Sequence, residues 1–265
     1  MINTDLQLLS PSRQTSKVMS TRYQTLSSVD LVNAILNILN PDTGEQIFEI
    51  RSIQTTKTRA DRSGRGKHIV RLQTVKAYSL DGDMVHPEIV IINSYDGTSL
   101  LQVEMGLFRC VCMNGLILKS KDLGQIKIRH MGTPSEVAFG IVKEFVNNTT
   151  QFVKVAKRLT ETILTDDEAF EFATEAAGIR WGDNVTVEDV EMLMETVRPE
   201  DEGKSVWKYL NTFQEKIENG GIKLTNAKRA AKAIRNIGEK VRINTELFEL
   251  ADRYCKQYAE YEMVA

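Results

Sequence analysis

Residues 87–132 read PEIVIINSYDGTSLLQVEMGLFRCVCMNGLILKSKDLGQIKIRHMG. Short apolar runs alternate with polar breaks, the pattern of consecutive buried strands joined by turns. Strands are expected over 88–93, 99–114 and 125–130. The middle one is long enough to be two strands, or one strand bent by a bulge. Asp96-Gly97 and Asn114-Gly115 are turn pairs. Asn93, Ser94, Asp96, Arg109, Cys110, Cys112, Asn114 and His130 therefore stand at the ends of buried strands, where a chain either turns or carries chemistry.

Upstream, residues 46–58 and 68–80 alternate in polarity, and neither face is cleanly apolar, which suits a sheet with one wet side. Between them lies a Gly-containing basic hairpin tip, residues 57–67. Leu80-Asp81-Gly82-Asp83 is a further turn signal. Ser27-Ser28-Val29-Asp30 reads as a helix start and Asn40-Pro41 as its stop. Downstream of Gly132 the apolar period lengthens, predicting a long amphipathic helix over 135–164. Helices are then expected over 166–177, 187–197, 205–219, 224–241 and 245–258. The fold class is α+β: an antiparallel, hairpin-rich sheet in the N-terminal half, then a long helix and a helical C-terminal half. The expected divisions are a flexible arm over 1–24, an α+β core over 25–164 and a helical region over 165–265.

The chain has 265 residues, 42% of them hydrophobic and 26% charged, enough for a sizeable core. No apolar run approaches the roughly 20 residues of a membrane span, and the first residues lack a secretory signal pattern. Three cysteines, Cys110, Cys112 and Cys255, make an odd count, so reduced thiols and a cytoplasmic setting, that of a host bacterium, are expected. The net charge of −2 conceals segregation. Residues 51–76 hold eight Lys/Arg against Asp61 alone, residues 161–202 hold fourteen acidic residues against Arg180 and Arg198, and residues 204–242 return to ten basic against three acidic. Such blocks either attract one another or await a charged partner.

The Cys110-x-Cys112 pair is poorly spaced for zinc, which favours Cys-x2-Cys, so no metal is expected. Cys112, His130 and Asp96 are the right types for nucleophilic catalysis, provided they converge; turn and core roles explain them more simply. No phosphate-cradling nucleotide loop occurs. Polyanion binding has the best physical support. Lys57, Arg59, Arg62, Arg65, Lys67, Arg71 and Lys76 lie on or beside the basic hairpin and can neutralise phosphates. A basic helix over 223–242 can line a groove.

Asn93-Ser94-Tyr95-Asp96-Gly97-Thr98-Ser99 resembles the Asn-Ser-His-Asp-Gly-Ser element of a phage and plasmid family known as domain of unknown function 932. Arg109, Cys112, Asn114 and Gly115 resemble its Arg-x-Val-Cys-x-Asn element, Arg129-His130 its following strand end, and Trp207 with Asn211 its Trp-x3-Asn helix. Tyr95 stands where the family usually carries His, which argues against an enzyme. A weaker, topological resemblance links the hairpin sheet and helix to single-strand annealing proteins of the RecT, Red-beta and Rad-fifty-two class.

The leading expectation is a phage- or plasmid-type protein that binds single-stranded DNA and promotes annealing or recombination, without a cofactor and as a homo-oligomer. One alternative is an interaction protein that inhibits a host defence or restriction protein through the acidic block. The other is a hydrolase built on Cys112, His130 and Asp96.

Overall fold

Among the described residues, seven α-helices and seven strands condense from the apolar runs. In the computed structural model residues 9, 22–40, 46–55, 66–110, 115–118, 126–131, 135–147 and 151–264 are described. The chain divides into two compact units, each built from discontinuous segments. The first comprises Met1–Ala77, His86–Phe108 and Lys121–Gln151; the second comprises Tyr78–Val85, Arg109–Ser120 and Phe152–Ala265. The sheet-to-helix order expected from sequence is present.

The first unit opens with α1 (Ser28–Leu39). Ser27 caps it by accepting from the Asp30 N–H, Asp30 itself favours the N-terminal dipole, and Val29, Leu31, Val32 and Ile35 form its buried stripe. Asn40 ends the helix, and its Oδ1 accepts from the Ile47 and Phe48 N–H groups at 2.7 Å each, which feeds the chain into the sheet. The strands are β1 (Phe48–Thr55), β2 (His68–Thr74), β3 (Tyr78–Leu80), β4 (Asp83–Asn93), β5 (Leu101–Arg109), β6 (Gly115–Leu118) and β7 (Ile126–Ile128). In this unit they follow the order β1-β2-β4-β5, with β7 also on β5. The pairs β1–β2, β2–β4 and β5–β7 are antiparallel. The helix α2 (Ser135–Asn147) packs on α1 and β7.

The expected wet face is absent from the central strands. Every residue of β2 except Gln73 is buried, and β5 is buried apart from Gln102. The polar residues that suggested solvent are instead paired inside. A bulge between Ile50 and Ser52 leaves Arg51 without a register partner and re-aims it. Arg51 then meets Glu88, as does Arg71 at 2.8 Å, and the Arg51 guanidinium lies 4.0 Å from the Phe108 ring centroid. Burial opposes the Arg51 charge and depresses its pKa, while the Glu88 carboxylate supports it.

The second unit contains the β3–β4 hairpin, whose turn residues Asp81 (φ 51°) and Gly82 (φ 81°) both lie in the left-handed region that a two-residue primed turn requires. Its helices are α3 (Gln151–Glu161), α4 (Asp166–Trp181), α5 (Val187–Met194), α6 (Val206–Asn219) and α7 (Ile237–Val264), with a 3-10 turn over Pro199–Asp201. Thr165 and Glu168 form a capping box on α4, and Thr186 with Asp189 forms one on α5. Ala169, Ala173, Ala176 and Ala177 line the buried side of α4, letting α6 and α7 pack close. The core is aromatic: Phe172 meets Phe213 edge-on at 5.1 Å, with Trp207 and Phe248 also fully buried.

The helical stretch expected over 135–164 is described as α2 over Ser135–Asn147 and α3 over Gln151–Glu161, and residues 148–150 lie outside the described residues. One helical expectation is corrected. The basic helix over 224–241 begins only at Ile237, and residues 225–236 are irregular. Local propensity, high in this Ala/Lys/Arg stretch, loses to tertiary backbone bonds. Ala231 donates to Ile222 O at 2.7 Å, Gly221 to Ala231 O at 2.9 Å, and Ile234 to Glu218 O at 2.8 Å. Gly220, at φ +72°, permits this approach, since a Cβ there would sit 2.3 Å from Ala231 O.

Candidate functional site

Register places His68 directly across from Asn93 at the ends of β2 and β4. The Gly66 carbonyl can only accept, so His68 Nδ1–H donates to it at 3.2 Å. His68 Nε2 then accepts from Ser28 Oγ at 2.8 Å. Ser28 Oγ is in turn held by Asn93 Nδ2 at 2.9 Å, and the same amide reaches Leu26 O at 2.8 Å. The Ser28 N–H, unsatisfied by the helix it opens, donates to the Tyr95 hydroxyl at 2.8 Å. Ser94 Oγ closes the following loop through Ser99 N at 2.9 Å, Asp96 accepts from Thr98 N at 3.0 Å, and Gly97 takes a φ of 76°.

A second histidine borders this network. His130 stacks on Tyr23 at 5.0 Å and donates from Nδ1 to Gln24 O at 3.2 Å, while Gln24 N donates back to His130 O at 2.6 Å. His130 Nε2 is buried without a hydrogen-bond partner. Tyr23 and Gln24 fall inside the segment read from sequence as an arm, and here they are bridged to residues 130 and 131. Burial depresses the His130 pKa, pushes His68 down to about 4 and pushes the Tyr23 hydroxyl up to about 12, the last helped by the Asp96 charge.

A hydroxyl 2.8 Å from an imidazole nitrogen has the separation of a nucleophile and its base. Ser28 and His68 are both 0% exposed, however, and an imidazole with so low a pKa is a weak base. Their geometry instead anchors the N-terminus of α1 and the Tyr23–Leu26 segment to the strand ends. Of the proposed hydrolase residues, Cys112 lies outside the described residues, Asp96 serves its own turn and His130 is enclosed.

The other motif residues meet in the second unit. Arg109, 2% exposed, donates to Asp83 Oδ1 at 2.8 Å and pairs with Asp201. Trp207 Nε1 donates to the other Asp83 oxygen at 2.8 Å, and Asn211 Nδ2 ties back to Trp207 O at 2.7 Å. Lys208 Nζ reaches Glu200 O at 2.7 Å and Asp81 O at 3.0 Å, and lies 3.6 Å from Asp83. Burial works against the Arg109 charge, but hydrogen bonds to Asp83 and Asp201 outweigh it and raise the pKa. The sequence marks Asp83 only as part of a turn, and more than a hundred residues separate it from its Trp207 partner.

Among the basic residues, Lys57, Arg59, Arg62 and Arg65 lie outside the described residues, as do Cys112 and Asn114. Lys67 is half-buried and Lys76 exposed, whereas Arg71 is committed to Glu88 within the sheet. Cys110 is half-buried and Cys255 buried, its thiol pushed up to about 11 by that burial. Among the described residues no group of three His, Cys, Asp or Glu side chains is placed to hold a metal ion, and no helix is long and apolar enough to cross a membrane.

Two buried polar networks hold strand ends and helix starts in an α+β scaffold. The chain belongs to the family described as domain of unknown function (DUF932), whose model matches residues 16–248. It is similar to UPF0380 protein YafZ of Escherichia coli (strain K12), with 27% identity over 248 residues covering 90% of this chain and 84% of the relative. UPF0380 protein YfjQ of the same organism shares 26% identity over the same coverage. No solved structure matches.

Proposed function

We propose that the protein binds single-stranded nucleic acid and promotes annealing or recombination by holding strands, without chemistry of its own. One observation carries this reading. Thr55 of β1 pairs with His68 of β2, so the segment between them is the connection of an antiparallel hairpin, and it contains Lys57, Arg59, Arg62, Arg65 and Lys67 against Asp61 alone. Cations concentrated on one hairpin connection suit the closely spaced phosphates of a polynucleotide. The enclosure of Ser28, His68 and His130 supports a binding role over hydrolysis. The acidic block supports the host-protein alternative less, because Asp189 and Asp201 are buried within it and Asp166 and Glu175 are ion-paired.

Fluorescence anisotropy with a labelled oligothymidylate at two salt concentrations tests the proposal. Alanine at Lys57, Arg59, Arg62, Arg65 and Lys67 together should weaken binding at least tenfold at low salt. It should also flatten the salt dependence, by about 0.7 in log–log slope for each phosphate that the variant no longer neutralises. Arg71 is left intact because it partners Glu88. Equal affinity of variant and wild type would refute the hairpin's role.

A further inference from the structure

The irregular segment 225–236, where sequence predicts a helix, carries a surface that the hairpin reading does not use. From Lys223 to Arg235 the chain has five cations, Lys223, Lys228, Arg229, Lys232 and Arg235, and no acidic residue. All five side chains are exposed. Three acidic residues of 161–202 are engaged elsewhere: Asp166 pairs with Lys204, Glu175 with Arg253 and Asp201 with Arg109. Asp189, the carboxylate that meets this segment, is buried and bound to the Thr225 N–H and hydroxyl at 2.7 and 2.9 Å.

The segment is also fixed in place. Besides the three backbone bonds to residues 218–222, Arg180 grips it by donating to Lys232 O. That guanidinium lies 5.3 Å from the ring of its neighbour Trp181, which is half-buried at the end of α4. A pinned strap of exposed cations, tied through Arg180 to a half-buried indole, has the two components of single-strand recognition: charge for the backbone and an aromatic ring for a base. The irregular path keeps all five cations exposed on a backbone fixed by hydrogen bonds to residues 218–222.

We infer that the 223–235 strap is a second phosphodiester-contacting surface, with Trp181 as its stacking residue. The inference rests on the single-stranded nucleic-acid reading for the identity of its polyanion, but on different residues from the hairpin.

The chain has two tryptophans, and Trp207 is fully buried, so a change in emission on ligand binding reports Trp181. Titration with oligothymidylate should quench emission in the wild type, and the Trp181→Phe variant should bind without quenching. The variant Lys228→Ala, Arg229→Ala, Lys232→Ala, Arg235→Ala replaces exposed side chains only, so its thermal midpoint should match wild type. Its affinity at low salt should fall about 10- to 100-fold and its salt slope should flatten by about 2 to 3. Wild-type affinity in this variant, with the hairpin variant defective, overturns the strap while leaving the hairpin reading intact. Weakened binding by the strap variant with an unaffected hairpin variant supports the strap and removes the hairpin. Absence of oligonucleotide binding by the wild-type protein overturns both. Binding of polyglutamate as tight as that of the oligonucleotide would also overturn the inference, because it would show charge attraction without recognition of a nucleic acid.

Discussion

The indole N–H of Trp207 and the guanidinium of Arg109 share one carboxylate: each donates at 2.8 Å to a different oxygen of Asp83. Three residues far apart in the chain are thereby joined in a buried charge network with Asp201 and Lys208. Asp83→Asn keeps the shape but removes a charge that Arg109 needs, and breaking a buried pair from one side costs about 3–5 kcal/mol. Urea denaturation should show a destabilisation of this size. Asp83→Asn and Trp207→Phe should be strongly non-additive, since both act on the same carboxylate.

Tyr95→Phe should destabilise by about 1–3 kcal/mol, because it orphans the Ser28 N–H at the start of α1. Tyr95→His, which places an imidazole acceptor here, should recover part of that stability. Thermal melts of the three proteins, run in parallel, measure both effects.

His68 sets a pH dependence. Its folded pKa of about 4 lies below the unfolded value of about 6.5. The native state therefore resists a proton that the unfolded chain accepts. The His68 contribution is complete above pH ~6.5, declines as pH falls toward 4 and levels off below, a decrease of about 3 kcal/mol. His130, also depressed, acts in the same direction. Chemical denaturation at several pH values should show this slope, and His68→Gln should flatten it.

Gly220→Ala should be destabilising by more than about 1 kcal/mol, combining a left-handed φ with a Cβ driven into Ala231 O. Gly178→Ala, within α4, meets open space and should be neutral or slightly stabilising. Differential scanning calorimetry of the pair separates strain from a general intolerance of alanine.

Local chemistry was the legible part of this chain. The helix start at Ser27–Asp30, the Asp81-Gly82 turn and the strand ending at Asn93 are each written within a few residues, and each is found. Less legible was anything decided by distant partners. Arg51 and Arg71 look solvated in sequence, but both pair with Glu88 inside the sheet. Residues 225–236 have helical propensity, yet hydrogen bonds to 218–222 and the grip of Arg180 hold them irregular. The motif residues Arg109, Trp207 and Asn211 were visible, but their purpose needed Asp83, which the sequence marks only as a turn residue.

Equilibrium binding of the wild-type protein to a labelled oligothymidylate, at low and at physiological salt, decides whether this chain holds single strands. Binding at low salt should weaken steeply as salt rises, with a log–log slope of several units. No binding at low salt, or binding indifferent to salt, would rule out a protein that grips the phosphate backbone.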